Sequence, residues 1–224
     1  MSDLLSLIVE WMPQLLGGVV QTLELTVKAF VLAAILALPI ALGRLSRRPG
    51  LRASARCYTE VVRGMPSLTL LLLLYFGLPS FGISFRATDA AVLGLGLNGA
   101  AYVSEIYRAG IQAIELGQIE AAQMIGMRHH QVLRYVVLPQ AFRIVLPPMG
   151  NFSIALLKDT SVASLISAPE LMLQARDLTS EYFMPLQIYL VAGVLYFAMA
   201  LPLSLIVRRL EFHLKPRTAT HKAI

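Results

Sequence analysis

Long apolar runs separated by short charged segments organise this chain. Five such runs, at 18–45, 65–79, 90–107, 149–166 and 185–207, predict helices that cross a bilayer, for which about 20 residues are needed. A Pro147-Pro148 break precedes the fourth run, and the charged segments between the runs differ in sign balance. Residues 43–63 carry Arg44, Arg47, Arg48, Arg52, Arg56 and Arg63 against Glu60 alone, and 108–143 and the C-terminal stretch are basic as well. The segments 80–89 and 169–183 are balanced or sparse in charge. An excess of Lys and Arg marks the cytoplasmic side, so the N-terminus is expected outside and the C-terminus inside. The expected fold is all-α, a polytopic membrane protein with five transmembrane helices.

The first residues place Leu4, Ile8, Trp11, Met12 and Leu15 at helical spacing. This fits an amphipathic segment, 1–17, lying on the membrane surface with Trp11 at headgroup level, or else an apolar tail. Residues 18–209 are expected to form a single transmembrane domain. Residues 210–224, with Lys215, Arg217 and Lys222, extend the basic run begun at Arg208 and Arg209 into a cytoplasmic tail.

Composition narrows the class. The chain of 224 residues is 57% hydrophobic and 14% charged, with mean hydropathy +0.68. Soluble domains carry about a quarter charged residues, and no room remains here for a catalytic domain beside the spans. The net charge of +6 follows the inner loops, so it reports topology rather than nucleic-acid binding. Cys57 is alone, which excludes an intrachain disulfide or a cysteine-based metal site. The N-terminus shows Asp3 and Glu10 instead of a basic leader, so no cleavable signal peptide is expected.

Polar groups within the spans have two readings each. Glu24 and Lys28 are spaced for a local ion pair, as are Glu105 and Arg108. Asn98 lies some 12 Å into its span at 1.5 Å per residue, where a polar group either faces a water-filled path or bonds a neighbouring helix. Lys158, Asp159, Thr160 and Ser161 stand mid-span as well. Successive side chains point about 100° apart on a helix, so Lys158 and Asp159 are placed for separate partners, on a substrate path or as interhelical contacts. Gly64 and Pro66 bracket the start of the second span beside Ser67, where free backbone groups can face a cavity.

The polar interruption at 120–139, EAAQMIGMRHHQVLRYVVLP, is different in kind. It reads as two short helices, 115–125 and 127–137, with Gly126 as the stop of the first. Val132, Leu133, Val136 and Val137 share one side of the second, and Leu138-Pro139 is expected to close it. Such a knob either enters a groove on another protein or lies on the bilayer.

Glu120-Ala121-Ala122, then Gly126, then Val136-x-Leu138-Pro139 resembles the EAA loop of ABC-importer permeases, with Val136 where isoleucine is usual. Arg63-Gly64-Met65-Pro66, Tyr75-Phe76-Gly77-Leu78-Pro79 and Leu157-Lys158-Asp159-Thr160-Ser161 resemble the polar amino-acid branch, which often has threonine at the place of Met65. The resemblance runs from 18 to 209. It implies that Glu120, Ala121, Ala122, Gly126, Leu138 and Pro139 couple the spans to ATPase subunits on the cytoplasmic side. It further implies a second permease subunit, identical or homologous, an extracytoplasmic solute-binding protein, an amino-acid substrate, and the inner membrane of a bacterium as location. Gly64, Ser67, Asn98, Lys158, Asp159, Thr160 and Ser161 are the candidates for the substrate path.

Several chemistries are unsupported. No GxxxxGK[ST] loop is present, so ATP and Mg are expected on the partner ATPase and no cofactor in this chain. His129 and His130 are adjacent, without the spacing of metal ligands. An enzyme is not expected. The alternatives are a channel or secondary transporter without ATPase partners, which lacks a carboxylate relay here, and a membrane scaffold recruiting a soluble partner.

Overall fold

In a computed structural model, residues 2–214 are described, with side chains from Ser6 onward. Leu4, as a surface contact, and the tail residues Lys215, Arg217, His221 and Lys222 lie outside what is described. The described chain is helical throughout, with no strand.

Helix α1 runs without interruption from Ser2 to Leu45. The boundary expected near Gly18 is therefore no break, and the N-terminal segment is the first third of a 44-residue helix. Trp11 is fully buried instead of meeting headgroups, because it packs with Leu15 against Leu171, Ala175, Leu178, Ile188 and Ala192.

After α1 come α2 (Pro49–Gly64) and α3 (Ser67–Leu72), which meet at a 104° bend across Met65-Pro66. The bend has a local cause, since Pro66 donates no N–H and holds Met65 extended at φ −102° and ψ 143°. Leu73–Gly77 and Leu78–Phe81 continue α3 as a π-turn and a 3₁₀ turn.

Helix α4 (Ala87–Gln112) is the centre of the bundle. Its small residues meet an alanine stripe on α1: Ala29, Ala33, Ala37 and Ala41, four apart, are all fully buried. A Cβ on Gly99 would stand 2.9 Å from the Ala33 Cβ and 2.8 Å from Phe152 Cζ. Only glycine permits this approach, and dispersion between closely spaced backbones is what joins helices in lipid.

The segment after α4 holds α5 (Leu116–Met124) and α6 (His129–Val132), the latter extended by a π-turn, Leu133–Val137. Helix α7 (Leu138–Asp159) follows directly. The helix thus runs on through Leu138-Pro139 instead of closing there, with the π-turn Leu133–Val137 directly ahead of the proline. The break expected at Pro147-Pro148 is not there either: both prolines lie inside α7. A 3₁₀ segment, Thr160–Ile166, leads to α8 (Leu171–Tyr182) and α9 (Pro185–Leu214).

Two described helices, Ser6–Leu45 and Pro185–Leu214, are long and apolar enough to cross a membrane, and the bent α2–α3 pair is a third candidate, a broken span or a re-entrant loop.

Candidate functional site

The knob between α4 and α7 is built by backbone chemistry. Gly126 adopts φ +84°, the left-handed region open to glycine without steric cost. From there Gly126 N–H donates to Gln123 O (2.9 Å) and Met127 N–H to Ala122 O (3.1 Å), the paired bonds of a Schellman end. A Cβ at Gly126 would meet nothing within 4 Å, so the backbone angle, not space, selects the glycine. Gln131 Oε1 then accepts from Arg128 N–H at 2.8 Å and starts α6. Gln140 on α7 donates to Gln118 on α5 at 2.6 Å and holds the knob to its stem.

Burial divides the predicted coupling residues. Ala122 and Val132 are buried within the knob. Glu120, Ala121 and Gly126 are exposed, and so are Leu116, Met124 and Ile125, the last two by 89% and 79%. Of the expected apolar side on 127–137, Val132 alone is buried, since the π-turn rotates Leu133 outward. Leu138 and Pro139 stand at the root of α7, where they line an apolar cleft of about 710 Å³ together with Phe30, Tyr107 and Phe142.

The substrate-path candidates separate too. Ser67, Asn98 and Asp159 line one cavity of about 310 Å³, with Met65, Pro66 and Tyr102. Asn98 also donates its amide to Val62 O at 3.5 Å. The others are not lining residues of this cavity. Lys158 is exposed and pairs with no carboxylate among the described residues, Asp159 included. Ser161 donates to Lys158 O (2.8 Å) and Thr160 to Leu157 O (2.7 Å), bonds that satisfy the hydroxyls locally. Thr160 is fully buried and faces the Tyr196 hydroxyl, away from the cavity. Gly64 is exposed at the end of α2, and a methyl group added there would meet nothing within 4 Å.

Two polar clusters are not apparent from the sequence. Glu105 takes Arg108 at 2.8 Å, as its spacing predicts, and also binds Arg44 across the bundle. Arg44 donates to Thr59 at 2.5 Å, so the foot of α1, α2 and α4 are tied together. At the other end Glu170 is fully buried as the N-cap of α8. Its carboxylate accepts from the N–H of Met172 (2.9 Å) and Leu173 (2.7 Å) and from the Tyr196 hydroxyl (2.5 Å). Burial raises the Glu170 pKa against the lowering effect of these bonds. An acidic residue just ahead of a helix-forming run is the sequence signal that marks such a cap.

The whole arrangement, a helical bundle with an exposed two-helix knob and a polar-lined cavity, is that of a membrane transport subunit. Residues 29–220 match the model of the family described as binding-protein-dependent transport system inner membrane component, and the chain belongs to that family. It is similar to a probable amino-acid ABC transporter permease, YckA of Bacillus subtilis, at 38% identity over 86% of this chain and 85% of the relative. The L-cystine permease TcyB of the same organism is 39% identical over 89% and 86% of the two chains. The nopaline permease NocM of Agrobacterium fabrum is 36% identical over 95% and 92%. A crystal structure of an amino acid ABC transporter with histidines superimposes with TM-score 0.88, at 38% identity over 92% of this chain and 96% of that one.

Proposed function

We propose that the chain is a permease subunit of an ATP-driven importer that carries a polar amino acid delivered by an external binding protein. The observation that carries this reading is the knob: an exposed Glu120-Ala121 face beside uncovered Met124 and Ile125, held by a Schellman turn at Gly126. Large apolar side chains on a short helix outside the spans need a partner groove. The groove belongs to an ATPase subunit, which holds ATP and Mg, because this chain has no phosphate loop. Relatives named for glutamine, cystine and arginine speak for an amino-acid cargo.

In this reading the chain has five spans, with N outside and C inside, in the inner membrane of a bacterium. Helices α4 and α7, of 26 and 22 residues, have the length for two of them. The cavity at Ser67, Asn98 and Asp159 is an open groove that a second permease subunit would roof, identical or homologous. Closure of the ATPase pair moves the knobs, and the two bundles rotate against each other to expose the groove alternately. ATP drives this by binding one arrangement better than the other.

The test is ATPase activity of the reconstituted permease, ATPase and binding protein, titrated with a panel of amino acids. Stimulation by polar amino acids is expected. A stable complex that no amino acid stimulates would overturn the cargo.

A further inference from the structure

Two cavities, not one, lie along the same face of α4. The first is lined by Asn98 and Tyr102, the second, of about 460 Å³, by Glu105, Ile106, Ala109 and Ala113. At 100° per residue these positions form one stripe, so the cavities are successive stretches of one groove leading toward the knob. The corner between α2 and α3 divides them. Met65 and Pro66, past the bend, line the first; Arg63, in the last turn of α2, lines the second.

At the division Arg63 lies over the Tyr102 ring, 5.1 Å from its centroid. Its neighbours use their charge otherwise: Arg44 and Arg108 pair with Glu105, and Arg56 with Glu60. Among the described residues Arg63 pairs with no carboxylate. A guanidinium on a ring face keeps its planar donors free at the edge, and those donors match a carboxylate in two parallel bonds. An α-amino acid brings such a group.

We propose that the Arg63–Tyr102 pair is a gate between the two cavities, shut while the guanidinium lies on the ring and opened when a substrate carboxylate takes the ring's place. Arg63 then contacts the cargo as it passes, and Tyr102 is a positioning residue that holds Arg63 across the groove. The substrate half of this statement rests on the amino-acid reading above; the barrier itself does not.

The experiment follows the reach of a membrane-impermeant thiol reagent from the knob face, in vesicles holding the permease with its ATPase and binding protein. In a Cys57→Ser background, Asn98→Cys reports the first cavity and Ala109→Cys the second. With the pair intact Asn98→Cys is expected to react slowly. Tyr102→Leu or Arg63→Gln should speed it by about two- to thirtyfold, the range a cation–π contact spans. Ala109→Cys should react alike in all of them, which also certifies that each variant is folded. Equal rates at Asn98→Cys with and without the pair would overturn the gate. A gate that responds to both substitutions, while the parent chain with Asn98, Arg63 and Tyr102 in place transports no amino acid, would strike the cargo reading and leave the barrier standing.

Discussion

The knob and the α8 corner are both short helical segments between long helices, and they are fastened in opposite ways. Helix α8 is tied to the rest of the chain at every side. Glu170 caps it and holds Tyr196 of α9, and Thr22 of α1 accepts from Leu171 N–H at 3.0 Å. Gln14 donates to Gln174, the Tyr182 hydroxyl donates to Glu10, and Trp11 meets the Tyr182 ring edge-on. The chain enters and leaves this corner through Ser167 and Phe183, both left-handed, a conformation that a non-glycine residue keeps only when its surroundings enforce it. Among the described residues the knob has one side-chain bond to its stem and bonds otherwise to itself. Its large apolar side chains face outward. The corner spends its polar and apolar groups inside the subunit; the knob leaves Leu116, Met124 and Ile125 uncovered.

Either half of that contrast can be removed by substitution. The largest effect is expected at Gly126→Arg. A left-handed L-residue costs about 1–2 kcal/mol, and a bulky cation at the bend disorders the docking face. Transport should fall to background while membrane insertion stays normal, read by uptake beside a membrane-fraction blot. Normal uptake would remove the coupling role.

Next in size is Glu170→Ala, which strands two N–H groups and a buried hydroxyl. A loss of about 2–3 kcal/mol is expected from the cap and the unpaired donors, read as earlier unfolding in a denaturant titration, with ATPase binding retained. The corner also has a pH signature. Burial raises the Glu170 pKa, so the folded protein holds that proton more tightly than the unfolded chain. The contribution of Glu170 to stability is therefore full below the ordinary carboxylate range and is lost as pH rises through the raised pKa. Glu170→Gln should flatten this slope; an unchanged slope would assign it to another group.

The smallest effect bears on the contrast through its size. Lys28 and Glu24 form an exposed i,i+4 pair on α1. Lys28→Gln should change stability by no more than about 0.5 kcal/mol, and unfolding curves of variant and parent should overlay.

The knob is largely legible in the sequence because its constraints are local: a glycine stop, a run of helix formers and a motif all sit within twenty-odd residues. The helix that follows is not. Leu138-Pro139 and Pro147-Pro148 are expected to break helices, yet the helix runs through both, with a π-turn directly ahead of the first pair. The cavity is half legible. Asn98, Ser67 and Asp159 meet across three elements, but Thr160, next to Asp159, turns inward, because the backbone tightens to a 3₁₀ segment there and redirects its side chains. Glu170 reads from sequence as an outer polar residue, since nothing near it along the chain reveals that Tyr196 bonds it from α9.

Pro39 has a mechanical consequence. Helix α1 is roughly 66 Å long at 1.5 Å per residue, about twice the thickness of bilayer hydrocarbon, and its upper portion is bolted to α8 through Gln14, Trp11 and Thr22. Below that the alanine stripe clamps it to α4. Pro39 then removes one rung from the ladder, just above the turn where Arg44 grips Glu105 and Thr59. Pro13 removes a rung near the upper end in the same way, so the long mast has one weakened turn toward each end, and the lower one stands directly above the tie from Arg44 to α2 and α4.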